Sequence, residues 1–171
     1  MENINTLAVQ VRETGLVNGW DLVYGPDWDS DPDIILSRLA MIHSEICEAH
    51  IAKHVGDKDA LAAELADIMI RTLDLAGGLT EDFAAHIFRL EGVFISDDVE
   101  QAFNNLHQVT TYALEAVRND GLLNFLGSLA LLFRSVEQFA ADAFDIDVSV
   151  AVPEKMEVNR HRSYRHGGKR V

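Results

Sequence analysis

Ser44-Glu45-Ile46-Cys47-Glu48 and Ala63-Glu64-Leu65-Ala66-Asp67-Ile68 decide the reading of this chain. Each segment carries two carboxylates spaced i to i+3, and on a helix such positions share one face. Both pairs stand among core-type residues (Ile42, Ile46, Leu65, Ile68, Met69), where an unpaired charge is expensive to bury. If the two faces meet, four carboxylates crowd together, and the expectation is that a cation makes this tolerable. Oxygen donors without a companion thiol suit a hard divalent ion, Mg²⁺ or alternatively Mn²⁺, better than zinc. Glu45, Glu48, Glu64 and Asp67 are therefore the candidate metal-binding and catalytic residues. The competing reading is two solvated helix faces.

Working outward, helical periodicity dominates and strand signals are nearly absent. The pattern predicts helices near 3–18, 33–55, 58–77, 80–90, 97–119 and 121–143, with a short one near 147–158. Asp31-Pro32 starts the second, with Asp31 as N-cap and proline at the first helical position. Gly56-Asp57 leaves only a tight turn between the acidic helices, which should pack antiparallel. Gly77-Gly78 is expected to end the third helix, and Asn119-Asp120-Gly121 to part the fifth from the sixth. Residues 19–32 read as a polar-aromatic loop whose Trp20, Tyr24 and Trp28 either stack on a base or plug the end of the bundle.

The 171 residues are enough for one all-α helical bundle with a real core. No apolar run reaches membrane-spanning length, and Met1-Glu-Asn-Ile-Asn lacks a basic leader. Cys47, the single cysteine, excludes an internal disulfide and is expected to be a small buried hydrophobe. Cytoplasmic residence is the expectation. Residues 155–171 hold six Lys/Arg against the single acid Glu157, a net +5, which leaves −19 on residues 1–154 of the −14 total. So acidic a body repels a nucleic-acid polymer. The basic tail is expected to reach back to the acidic cluster or to a small phosphorylated ligand.

A faint internal repeat runs through the chain. Ile42-His43 recurs as Leu106-His107, sixty-four positions later, and Leu65…Arg71 recurs as Leu129…Arg134. In this alignment the four carboxylates fall on apolar or small residues, among them Val109, Tyr112 and Leu131. Residues 81–143 then form a degenerate second repeat that keeps a helical hairpin and holds no metal of its own. Val109, Tyr112, Leu129 and Leu131 are expected to pack against the acidic hairpin. Residues 1–80 form the catalytic half, and 144–171 the substrate-binding tail.

Ser44-Glu45-Ile-Cys-Glu48 followed by Glu64-Leu-Ala-Asp67 resembles the E-E-x-x-E … E-x-x-D pattern of the all-α nucleoside triphosphate pyrophosphatase superfamily. That superfamily includes MazG, dimeric dUTPases and phosphoribosyl-ATP pyrophosphatases. Ser44 replaces the first Glu of the pattern. Leu39–Ala49 and the tail Lys155–Arg170 look like the MazG-like subgroup common in phage and bacterial genomes, so the compartment is the host cytoplasm if the chain is phage-encoded. The resemblance covers roughly residues 15–80 and 144–170. It implies Mg²⁺-dependent hydrolysis of a nucleoside or deoxynucleoside triphosphate to monophosphate and pyrophosphate. It also implies that Lys155, Asn159, Arg162 and Arg165 bind the triphosphate while Tyr164 and His166 shape the tail. Single-repeat relatives complete their bundle across subunits, whereas a fused second copy could supply that partner internally; a homodimer is the first expectation.

Other classes fit less well. No G-x-x-x-x-G-K-[ST] loop is present. No His lies three positions after Glu45, Glu48 or Glu64, as a di-iron carboxylate bundle requires. A non-catalytic bundle descended from such an enzyme is the alternative.

Overall fold

The structure is a computed structural model that describes residues 4–25, 27–90, 93 and 95–163. Among these residues the chain is all-α and has no strand. Its helices are α1 (Ile4–Val17), α2 (Asp27–Ser30), α3 (Pro32–Val55), α4 (Lys58–Leu79), α5 (Phe83–Phe88), α6 (Val99–Glu115), α7 (Leu122–Phe144) and α8 (Val148–Arg160). No helix among the described residues is long and apolar enough to cross a membrane.

Local chemistry sets the central hairpin. Pro32 opens α3 at its first turn, with Asp31 at the N-cap position but making no capping bond. Gly56 ends it in the left-handed region at φ 76°, which costs a residue without Cβ nothing. Asp57 then caps α4 by accepting from the Ala60 amide at 2.9 Å. With two residues between them, α3 and α4 can only fold back on each other, and they pack along their lengths.

The expected stop at Gly77-Gly78 is not where α4 ends: the helix runs on to Leu79. These glycines serve close approach instead. A Cβ on Gly78 would lie 2.2 Å from the Val23 carbonyl oxygen, and one on Gly77 would lie 3.1 Å from Ala8 Cβ. The glycine pair lets α1 and the segment after it sit directly on α4. The fifth predicted helix also differs. It is α-helical only to Glu115, and Ala116–Asp120 wind as a π-helical turn before Gly121 at φ 86°.

The second hairpin, α6–α7, packs side by side with the first, α3 against α6 and α4 against α7. Phenylalanines fill the centre. Phe103 meets Phe139 edge-on at 5.0 Å between ring centres, and Phe83 meets Phe133 at 6.2 Å. All four are buried, as is Phe125. Of the residues expected to pack from the second copy, Val109 and Leu129 are buried and Leu131 is partly so. Tyr112 is not; it is 48% exposed, because its step around α6 takes it past the seam toward solvent. Cys47 is likewise exposed rather than a core hydrophobe. It sits one residue beyond buried Ile46, on the rim of the α3–α6 seam, with Sγ 3.8 Å from His107 Nε2. Trp28 takes the plugging role, its ring 5.1 Å from that of Phe125.

Candidate functional site

The hairpin itself aligns the acids. Glu48 lies eight residues before Gly56 and Glu64 eight after; Glu45 and Asp67 each lie eleven away. In an antiparallel hairpin, residues equidistant from the turn stand level, so each acid of α3 has a counterpart on α4. Ligand oxygens of Glu45, Glu48 and Glu64 come within 4.8 Å of one another. Glu48 is exposed, and Ser44 Oγ donates to Glu48 Oε1 at 3.3 Å.

Asp67 stands beside this trio and is held from α8. Lys155 Nζ lies 2.9 Å from Asp67 Oδ2 and 4.0 Å from Glu64 Oε1, and Asn159 Nδ2 donates to Asp67 Oδ1 at 3.4 Å. Lys155 is only 8% exposed. From α4, Arg71 donates through both Nε and Nη2 to Glu45 Oε1, each at 3.3 Å. Part of the positive charge that makes the cluster tolerable is thus the chain's own.

Compensation is incomplete. Burial pushes the Glu45 carboxyl up to about 7 despite the pull of Arg71, and the charges of Asp67, Glu48 and Glu64 add to the rise. Burial likewise raises Glu64 against the pull of Lys155. Carboxyls that resist ionisation beside other acids have the character of a site that gains from a further positive charge.

A cleft opens beside the cluster and shares Asp67 and Arg71 with it. Trp20 forms one wall, with the guanidinium carbons of Arg38 and Arg71 5.9 and 6.0 Å from its ring centre. Asn18 and Asp74 stand on the wall formed by α1 and α4, Asn159 and Arg162 on the side of α8. The Asn18 amide donates to the Asn159 carbonyl at 2.9 Å, tying α1 to the end of α8. Burial raises the Asp74 pKa against the opposing pull of Arg38, Arg12 and Arg71. Arg12 bonds the carbonyls of Asp74 and Val23 at 2.9 and 2.8 Å, and its Nη1 is 3.7 Å from Asp74 Oδ1. Asp74 Oδ1 and Asn159 Oδ1 are buried in this wall without a hydrogen-bond donor.

Of the residues expected to meet substrate, Trp20, Asn159 and Arg162 line the cleft, while Lys155 is turned to the carboxylates. Trp28 packs into the core away from it. Tyr164, Arg165 and His166 lie outside the described residues. Arg71, Arg38 and Asn18 were missed from sequence. Arg71 follows Asp67 by four and Glu64 by seven, and Arg38 precedes Glu45 by seven, so both continue the acidic stripes along their own helices. No family model, curated protein or solved structure matches the chain.

Proposed function

We propose that the chain is a nucleoside triphosphate pyrophosphohydrolase of the MazG-like kind, converting a nucleoside or deoxynucleoside triphosphate to monophosphate and pyrophosphate. The observation that carries this reading is the convergence of Glu45, Glu48 and Glu64 beside a cleft walled by Trp20 and arginines.

The donor set fits Mg²⁺ or Mn²⁺. All donors are oxygens, and ligands on one octahedral Mg²⁺ stand roughly 3–4 Å apart, so groups already within 4.8 Å need little movement. When bound, such an ion would neutralise triphosphate charge and activate a water. Glu45, Glu48 and Glu64 would hold it, with Asp67 alongside. In the reaction a water oxygen bonds to the α-phosphorus and releases its proton to solvent, the α–β anhydride bond breaks, and pyrophosphate leaves with the bond's electrons. Arg71 and Arg162 offer positive charge where that negative charge accumulates. Trp20 presents a face on which a base can stack.

One observation favours the alternative of a non-catalytic bundle: Arg71 and Lys155 already neutralise part of the cluster, as an inert core would need. Incubation of the full chain with Mg²⁺ and each common nucleotide separates the two. Monophosphate plus pyrophosphate is the expected product pair. No turnover of any nucleotide by folded protein would leave the inert bundle as the reading.

A further inference from the structure

On the α3–α6 seam, clear of the cleft, His50, His54 and Glu100 bring one ligand atom each within 4.8 Å of the others. His50 and His54 are spaced i to i+4 on α3, so both imidazoles leave the same face of the helix. Glu100 comes across from the first turn of α6. Its position is set locally, since Asp98 caps α6 by accepting from the Glu100 and Gln101 amides at 2.9 and 3.2 Å. We infer that these three side chains form a second metal site, for a borderline divalent ion such as Zn²⁺, that clamps the first hairpin to the second.

The arrangement around the trio supports this. Both Nε2 atoms aim at a single oxygen, Glu100 Oε2, at 2.6 Å from His50 and 3.7 Å from His54. The other oxygen, Oε1, is taken by Lys53. The carboxylate is therefore oriented by one partner while its other oxygen faces two imidazoles, as in metal sites whose ligands are positioned by a neighbouring group. The His50 ring is held flat against buried Phe103 at 4.4 Å and lies 4.7 Å from that of His54. Ring rotation is thus restricted on the helix that must present the nitrogens.

Two imidazoles and one carboxylate are the donor set of an open zinc centre, with water completing the tetrahedron. Neighbouring ligands on such a centre stand roughly 3.3 Å apart, from metal–ligand lengths of about 2.0–2.2 Å. His54 and Glu100 are close to that separation already. His50 and Glu100 must open slightly, which their half-exposed side chains permit. Imidazole nitrogen selects Zn²⁺ over Mg²⁺, so this centre and the all-oxygen cluster sort the two metals by chemistry. The second hairpin contributes one ligand, Glu100.

The test titrates Zn²⁺ alone into the full chain, by calorimetry and by thermal unfolding, with excess Mg²⁺ present throughout. One Zn²⁺ per chain and a raised Tm are expected. His50→Ala and Glu100→Gln should each weaken Zn²⁺ binding at least about 100-fold, beyond the 10–100-fold typical of an orienting partner. Glu48→Gln with Glu64→Gln, and separately Cys47→Ser, should leave it unchanged, with circular dichroism reporting the fold. Zn²⁺ binding that survives His50→Ala, or that is lost in the Glu48/Glu64 or Cys47 variants, overturns the proposal. So does a wild-type chain that takes up no Zn²⁺.

Discussion

His43 Nδ1 lies 2.8 Å from His107 Nδ1, with the two rings stacked 5.1 Å apart at 17°. These residues are 64 positions apart, the same offset that relates the two faint repeats. When two copies of a hairpin pack about a two-fold axis, a residue on the axis meets its own equivalent. The contact therefore supports, as a proposal, a duplication in which α6–α7 descends from the same unit as α3–α4. One ring must donate and the other accept, and burial lowers the pKa of both, which favours the neutral forms the pairing needs. His43→Ala and His107→Ala should each cost about 1 kcal/mol, the usual net worth of a hydrogen bond. The double variant should cost less than their sum. Chemical denaturation of all four proteins checks this, and simple additivity would show that the pair is not coupled.

The carboxylates should act as one unit. Glu45→Gln, Glu64→Gln or Asp67→Asn should each lower turnover at least about 100-fold, as for polar groups that act in a transition state. Glu64→Gln should keep the fold, because it removes a like charge from a crowded set, whereas Asp67→Asn also leaves Lys155 without its nearest partner and should cost stability. Pyrophosphate release measured beside circular dichroism separates the two effects. Near-normal turnover in the Glu64 or Asp67 variant sinks the assignment.

Lys155 should behave as a structural counter-ion. Lys155→Met strips Asp67 and Glu64 of their nearest positive charge, and breaking a buried pair costs about 3–5 kcal/mol. Added Mg²⁺ should restore part of the lost Tm in this variant, more than it raises that of the wild type. A Tm that does not respond to Mg²⁺ would argue against a shared role for side chain and ion.

Acid stability should depend on the start of α8. Asp147 accepts from the Ser149 hydroxyl at 2.6 Å and the Ser149 amide at 2.8 Å, and these bonds hold its carboxyl below its ordinary 3.8. A depressed carboxyl contributes stability that is fully present above its unfolded pKa. That stability is lost as pH falls through the folded value. Wild type should thus exceed Asp147→Asn in Tm at neutral pH, and the gap should close as pH drops below 3.8. Thermal unfolding as a function of pH reads this directly, and a constant gap would contradict it.

Core and seam should respond differently to truncation. Phe133→Ala empties a fully buried site and should cost about 3–5 kcal/mol, the range for buried aromatics. Tyr112→Ala should cost under about 1 kcal/mol, since half the residue already meets water. Equal losses would mean that the seam is tighter than its exposure indicates.

Much of the architecture is legible in local signals. Gly56-Asp57 announces the acidic hairpin, and i,i+3 spacing places its carboxylates on facing sides. What escaped depends on partners distant in sequence. Gly77-Gly78 looks like a helix stop, because nothing near it reveals that Val23 and Ala8 press on the same spot. Cys47 and Tyr112 look like interior residues, because periodicity gives a face but not where a seam ends. For Lys155 the sequence leaves open the acidic cluster or a phosphorylated ligand, and the docking of α8 on α4 turns it toward Asp67. Arg71 was visible as part of a stripe, but its pairing with Glu45 required the helices to be assembled.

A missing methyl group at position 78 works as a spacer gauge for the cleft. Val23 can rest on α4 only because Gly78 ends at a hydrogen, and Trp20, three residues earlier, inherits its depth from that seat. Any larger residue there would lift the Val23 carbonyl and carry the tryptophan wall with it. The width of the cleft is therefore set from behind, at a position that does not line it.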